Sequence, residues 1–340
     1  MSAIKNAFTG LKLGNWFKNE ILNTRTIDYI DFCPTWKCNA RCATCGAWKR
    51  DKAEMQPDLY KQIIENKTFS KLKKIIIEGG EPTMWNYLYD FLYRFMKFHP
   101  KCRTHVITNG FKTDTIDIIA GSLKNEFSKQ LSWSVSLNGL EKTHDKSRGV
   151  KDVFDKTVAS AVILKEYGYS VAFSYVPFQE NVNEYEKLKE FCKELEIPLW
   201  VCYYSKSSKF GEHQTWSQTT DDQYDHVYQD TANSLKFYQK WAYEYFLDHV
   251  KRKEVMPCWA GRSMVHINPQ GLIRPCHLDE SMAIGHLTEE GVEMYGNREE
   301  LLQWIPKLCE YKTGELCNDC YVFYTVRNSM PKVLKWKLLS

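Results

Sequence analysis

Cys38-Asn39-Ala40-Arg41-Cys42-Ala43-Thr44-Cys45 places three thiols on one short loop, with the spacing C-x3-C-x2-C. Three thiolates can bind three irons of a 4Fe–4S cube and leave the fourth iron open, because a closed cube takes four cysteines. An open coordination position lets a metal bind and activate a small molecule. Spacing alone also fits zinc or a structural cluster, so the surroundings decide. Before the loop, the β-branched and aromatic run 27–32 reads as a strand. After it, Lys74-Ile75-Ile76-Ile77 reads as a second strand and ends in Glu78-Gly79-Gly80-Glu81-Pro82-Thr83. A third strand-like run ends in Thr108-Asn109-Gly110. A fourth runs from Leu131 to Gly139, with His144-Asp145 and Arg148-Gly149 beyond it.

Strand-like runs recur at 27–32, 73–78, 103–108, 131–137, 169–176 and 197–204. Helical patterns lie between them at 57–66, 85–98, 113–123, 152–167 and 184–195. Pro57-Asp58 is a helix start signal and Asn183 a cap for the last helix. Six alternating β–α units argue for a parallel sheet with helices outside it. Functional groups then sit at the C-terminal ends of strands, where the cysteine loop, Gly79-Gly80, Asn109, Ser136 and Asn138 all fall.

The 340 residues are 43% hydrophobic and 14% aromatic, which suits a large globular unit with an appendage. A net charge of +4 is too small to point to nucleic acid. The sequence has no apolar run long enough for a transmembrane helix and no signal peptide. Twelve cysteines without an export signal argue for metal or redox work rather than disulfides, and for a cytoplasmic protein. Cys33, Cys102 and Cys192 read as buried structural thiols. Arg41 and Lys37 are candidates for lowering the loop thiols' pKa.

In this order the motifs resemble those of the radical S-adenosylmethionine (radical SAM) superfamily. The resemblance covers about residues 27–204. It implies an α/β fold, a partial (β/α)6 TIM-like barrel, with one 4Fe–4S cluster on Cys38, Cys42 and Cys45. It also implies SAM bound by Gly79, Gly80, Glu81, Pro82, Asn109, Ser136, Asn138 and Arg148, with Ser136 at the ribose and Arg148 at the carboxylate. One departure is Thr44, which stands where the family carries an aromatic or large residue near the adenine.

A second cysteine set follows: Cys258, Cys276, Cys309, Cys317 and Cys320, around a hairpin-like stretch 265–273 with Gly271 at its turn. Four cysteines in two pairs suit a structural zinc or a closed 4Fe–4S cluster. Cys258…Gly271…Cys276 and Cys317-Asn318-Asp319-Cys320 resemble the SPASM/twitch extension of radical SAM enzymes. That implies a small C-terminal β-hairpin-plus-helix cluster domain holding a second, auxiliary 4Fe–4S cluster on Cys258, Cys276, Cys317 and Cys320. The single-cluster twitch form fits the cysteine count better than full SPASM. The expected division is an N-terminal helical extension at 1–26 and the barrel at 27–204. A lid or linker with a long helix follows at 205–256, then the cluster domain at 257–322 and a tail at 323–340.

The resemblance implies reductive cleavage of SAM to a 5′-deoxyadenosyl radical that abstracts hydrogen from a substrate. Cys202 and Cys309 are candidate hydrogen donors. The favoured substrate is a ribosomally made peptide, epimerised or crosslinked, although 26 residues before the first strand leave no room for a peptide-recognition domain. The alternative is a sugar, aminocyclitol or nucleoside dehydrogenase or rearranging enzyme. The end Lys337-Leu338-Leu339-Ser340 lacks the Gly-Gly tail of the molybdopterin-precursor cyclase. The third reading is a non-catalytic iron–sulfur electron carrier. An electron donor such as flavodoxin or ferredoxin is implied, and no nucleic acid partner.

Overall fold

Strand β4 (Leu131–Ser136) shows how this sequence builds its sheet: Leu131, Trp133 and Val135 are buried while Ser132, Ser134 and Ser136 alternate with them on the other face. The same alternation runs through β3 (Arg103–Thr108) and β5 (Ser170–Tyr175). In β4 the large apolar side chains face the helices and the serines face away. The structure is a computed structural model that describes residues 27–202, 221–235, 240–241, 243–245, 248, 260–261, 263–276 and 283–295. The expectations for 1–26, the lid or linker at 205–220, Cys258, Cys309, Cys317, Cys320 and the tail lie outside these residues.

β1 (Tyr29–Phe32), β2 (Lys74–Ile77), β3, β4, β5 and β6 (Leu199–Val201) pair in that order, all parallel. The helices between them are α1 (Pro57–Glu65), α2 (Leu88–Phe98), α3 (Thr113–Phe127), α4 (Glu141–Arg148), α5 (Phe154–Glu166) and α6 (Tyr185–Glu194). In α2, Leu88, Phe91, Leu92, Phe95 and Met96 are buried, the spacing of one helix face. Behind β1, Phe32, Tyr60, Trp85 and Phe91 form an edge-to-face cluster, with Trp85 5.4 Å from Tyr60 and 5.7 Å from Phe32. α4 was not legible as a helix, because its eight residues, Glu-Lys-Thr-His-Asp-Lys-Ser-Arg, carry no apolar stripe. Its inward face is His144 and Ser147. α7 (Asp221–Ser234) lies in the stretch 205–256 where a long helix is expected.

The hairpin read from the sequence is present as β7 (Met264–Ile267) and β8 (Leu272–Arg274), followed by β9 (Gly285–Leu287) and β10 (Val292–Met294), antiparallel throughout. β7 also lies parallel to β1, Tyr29 opposite Met264 and Asp31 opposite His266, so the hairpin extends the main sheet. Among the described residues the sheet ends at β10 and β6. No helix among them is long and apolar enough to cross a membrane.

Candidate active site

The loop carrying Cys38, Cys42 and Cys45 leaves β1 and is tied to the ends of β2, β3 and α4. From β2, Gly80 N–H donates to Thr35 O at 2.8 Å and Glu81 N–H to Lys37 O at 2.7 Å. From β3, Asn109 Nδ2 donates to Asn39 Oδ1 at 2.7 Å. From the end of α4, Arg41 N–H donates to Arg148 O at 2.7 Å and Ala43 N–H to Ser147 O at 2.9 Å. Two glycines make the contacts close enough. A Cβ on Gly80 would lie 2.3 Å from Lys37 O, and one on Gly149, which has φ +63°, would lie 2.3 Å from Arg41 O. The Gly79-Gly80 pair is therefore required by the approach of the cysteine loop itself: a Cβ on Gly79 would meet Cys33 Sγ at 2.4 Å.

Glu81 is buried and its carboxylate is fully engaged. It accepts from Thr83 N–H (3.1 Å), Thr83 Oγ1 (2.7 Å), Thr108 Oγ1 (2.6 Å) and Asn109 N–H (2.8 Å). Burial raises its pKa, and these four hydrogen bonds oppose the rise. Pro82 starts the short 3-10 turn Pro82–Met84 that Glu81 caps. Asn138, also buried, donates through Nδ2 to Ser147 Oγ and accepts Val176 N–H on Oδ1, while its carbonyl accepts from Asn181 Nδ2. His144 Nδ1 accepts Asn138 N–H, which leaves the proton on Nε2 facing Thr157 Oγ1 at 3.2 Å. Asn109 and Asn138 thus tie strand ends together. Asn39, His144 and Asn181 share this work and were missed as functional residues. Asn39 and His144 lie within the quoted stretches but at positions whose residue type the spacing does not dictate, and Asn181 lies outside them.

Burial pushes Cys38 and Cys45 up to about 12, and each is raised in part by a neighbouring thiol. Metal ions bind such sites by displacing these protons. The cation that lowers both is Arg148. Its Nη1 lies 3.6 Å from Cys42 Sγ. The expectation for Lys37 and Arg41 is corrected: Lys37 pairs with Glu54 at 2.9 Å, and Arg41 Nη1 donates to Cys38 O and Ala40 O. Arg148 Nε is buried with no hydrogen-bond partner among the described residues. Three clamped thiols beside that unspent donor suit an iron–sulfur cluster with an anionic ligand next to it. Ser136, half-buried at the end of β4, has Ser174 Oγ 3.5 Å from its own hydroxyl.

The sheet face turned away from α1–α6 is polar. His105 on β3 lies 2.8 Å from Ser132 Oγ and 3.0 Å from Ser134 Oγ, and burial lowers its pKa to about 3. Across the sheet, His266 Nδ1 lies 3.1 Å from Asp31 Oδ2. Polar atoms of Asp31, Glu78 and His266 all lie within 4.8 Å of one another. Glu78 immediately precedes the glycine pair, so this group lies one step along β2 from the cysteine loop. Sequence reasoning missed it, because its members are distant in the chain and join only through the pairing of β1 with β2 on one side and β7 on the other. Cys202 follows β6, its carbonyl accepting from Tyr228 OH. Cys276 packs on Tyr29, Ala260 and Met264.

The radical SAM superfamily model matches residues 33–192, and the SPASM iron–sulfur cluster-binding domain model matches 258–321. Among curated proteins, Fe-coproporphyrin III synthase of Methanosarcina barkeri is 28% identical over 179 residues, 50% of this chain and 42% of that protein. GTP 3',8-cyclase of Aliarcobacter butzleri is 28% identical over 177 residues, 50% of this chain and 53% of that protein. The chain thus spans about half the length of these two relatives. Among solved structures, Streptococcus suis SuiB bound to S-adenosylmethionine aligns with TM-score 0.59 at 19% identity, covering 78% of this chain and 64% of that one. The anSMEcpe structure with AdoMet and the Cp18Cys peptide aligns with TM-score 0.58 at 15% identity, covering 92% of this chain and all of that one. Both share the fold. The chain carries a radical SAM domain and a C-terminal SPASM iron–sulfur cluster-binding domain, so its cofactors are a 4Fe–4S cluster with S-adenosylmethionine and an auxiliary iron–sulfur cluster.

Proposed function

We propose that this radical SAM enzyme abstracts hydrogen from a ribosomally made peptide, with Cys38, Cys42 and Cys45 holding the SAM-binding cluster. When bound, cluster and SAM supply one electron and a 5′-deoxyadenosyl radical. The chain's own residues then have five tasks. The backbone of Gly79 and Gly80, with Pro82 fixing the turn, lines the SAM site. Glu81 and Asn109 position that turn against the cysteine loop, and Asn138 positions the β4 end. Ser136 offers a hydroxyl to the ribose, and Arg148 offers Nε to the carboxylate. Cys258, Cys276, Cys317 and Cys320 hold the auxiliary cluster. Cys202 or Cys309 returns hydrogen where the product requires it.

The observation that carries the substrate reading is the polar sheet face beside the glycine turn. Asp31, Glu78 and His266 stand on one side, and His105 with Ser132 and Ser134 on the other. Among the described residues β6 and β10 are the two ends of the sheet and do not pair with each other. SuiB has been solved with its precursor peptide SuiA, and anSMEcpe with peptides, which supports this reading. A small-molecule substrate is the second reading, supported by the relatives named GTP 3',8-cyclase.

The test is anaerobic. Reconstituted protein is reduced, given SAM, and assayed for 5′-deoxyadenosine beside Cys42→Ala. Synthetic serine- and cysteine-containing peptides and GTP are then added separately. Stimulation by a peptide, with mass loss or epimerisation of that peptide, supports the reading. Stimulation by GTP alone replaces it with the second.

A further inference from the structure

Reductive cleavage of SAM consumes one electron that this chain must receive from outside. The cysteine loop is the place where that electron has to arrive, and its outer rim is basic. Arg41, between two of the loop's cysteines, is exposed, and its guanidinium lies 5.2 Å from the centre of the Trp48 ring. Lys49 lies 5.2 Å from the same ring, and Lys52 Nζ donates to Trp48 O at 2.8 Å. On the other side Gly149 abuts Arg41 O, so exposed Lys146 and Lys151 flank the same spot. Segment 41–52 holds four cations against Asp51 alone, and 142–152 holds four against Asp145 and Asp152. Asp145 is turned inward, accepting the N–H groups of Asp152, Val153 and Phe154 at the start of α5. The whole chain carries only +4, so these two segments concentrate more positive charge than the entire molecule shows net.

We propose that Arg41, Lys49, Lys52, Lys146 and Lys151, with Trp48 among them, form the docking surface for an acidic one-electron carrier protein. It rests on Cys38, Cys42 and Cys45 holding the cluster. The carrier loses one electron and the cluster gains it; no bond is made between the two proteins. Transient electron-transfer contacts are small and gain their rate from charge steering rather than buried area. A rim of cations around an aromatic patch meets that need. The charge surrounds the cysteine loop and not the polar sheet face, which favours a reductant over an acidic substrate.

The experiment follows cluster reduction in stopped flow, with reduced flavodoxin as the carrier and photoreduced deazaflavin as a small reductant. The variant is Lys49→Glu/Lys146→Glu/Lys151→Glu. A control of equal charge change, Lys71→Glu/Lys101→Glu/Arg103→Glu, lies near the N-terminal ends of β2 and β3, where all three residues are exposed. The rim variant should lose roughly 10- to 100-fold in second-order rate with flavodoxin at low salt, and the gap should close as salt screens the charges. The control should keep most of its rate, and both should keep full iron content and deazaflavin reduction. Equal loss in rim and control variants would reduce the effect to net charge and overturn the proposal. So would an unchanged flavodoxin rate, or an unchanged rate with lost binding of an acidic peptide, which would give the rim to substrate. Loss of iron or of deazaflavin reduction in the rim variant alone would mean that the triple change disturbs the loop; the single variants Lys146→Glu and Lys151→Glu, outside the cysteine loop's own sequence, then decide the rim, and absence of a reducible cluster in the wild-type protein would mean that the cluster reading itself had failed.

Discussion

The cysteine loop and the polar sheet face lie side by side yet are built in opposite ways. The loop is held mostly by backbone: three glycines, Gly79, Gly80 and Gly149, without room for a Cβ, and carbonyls of Thr35, Lys37, Ser147 and Arg148 accepting loop or turn amides, with the Asn109–Asn39 side-chain bond as a further anchor. The sheet face is made of side chains, with His105 against two serines and Asp31 against His266. Chemistry common to all substrates needs fixed geometry, which backbone supplies and which a substitution breaks. Recognition of one substrate needs adaptable groups, which side chains supply and which substitution merely edits.

The largest effect should come from breaking the backbone clamp. In Gly80→Ala, the new methyl would sit 2.3 Å from Lys37 O, against backbone that has no flexible end to swing away. The loop must shift, so the variant should retain less than about a tenth of wild-type iron on the N-terminal cluster and lose SAM cleavage by at least ~100-fold. Iron counting and 5′-deoxyadenosine assays read this directly. Near-normal values would show that the loop is not set by that contact. Gly149→Ala meets the same distance at Arg41 O and adds a left-handed φ of +63°, so it should behave alike.

Next comes a side chain within the clamp. Asn109→Ala removes the 2.7 Å bond to Asn39 and the Oδ1 acceptor for Phe111 N–H, while the Asn109 N–H to Glu81 bond remains. Losing one of three anchors should cost about 1–3 kcal/mol of loop ordering, seen as roughly a tenfold fall in SAM cleavage with the cluster still assembled. An equal loss of iron would place Asn109 with the glycines.

These contrasts explain what was legible. Gly79-Gly80, the cysteine spacing and Arg148-Gly149 are short stretches whose residue types the backbone geometry dictates, so they could be read in order. The six parallel strands were equally plain from β-branched runs such as Ile75-Ile76-Ile77. α4 was hidden because its buried face is His144 and Ser147, so hydrophobic periodicity had nothing to report. The Asp31–His266 pair was hidden because 235 positions separate the two and only the parallel β1–β7 register joins them. Glu81 looked like a ligand contact, whereas its carboxylate is spent on Thr83, Thr108 and Asn109.

A smaller effect, on stability, distinguishes the two regions by pH. His144, in the clamp, has its pKa lowered to about 2, and His105, on the sheet face, to about 3, both chiefly by burial. Unfolded, each titrates near 6.5. Below 6.5 the unfolded chain binds protons that the folded chain refuses, so stability is full above that pH and falls as pH drops toward 3. Each histidine contributes up to about 1.4 kcal/mol per pH unit in that window. Denaturant midpoints between pH 7 and pH 5 should fall in wild type and fall less in His105→Gln. An identical slope in both would mean that His105 is not held neutral in the folded state.

The smallest effect tests the other half of the comparison. His266→Gln keeps a polar side chain against Asp31, and Ser134→Ala removes one hydroxyl from His105; both changes fall on the polar sheet face. Uncoupled SAM cleavage without substrate should therefore stay within about twofold of wild type, because all the groups that hold cluster and SAM remain in place. Substrate-stimulated cleavage should fall by about tenfold or more in His266→Gln, as expected when a buried polar partner for substrate is altered. If uncoupled cleavage falls in step with the stimulated rate, the polar face supports the cluster rather than the substrate, and the division between a backbone-built half and a side-chain-built half fails at that point.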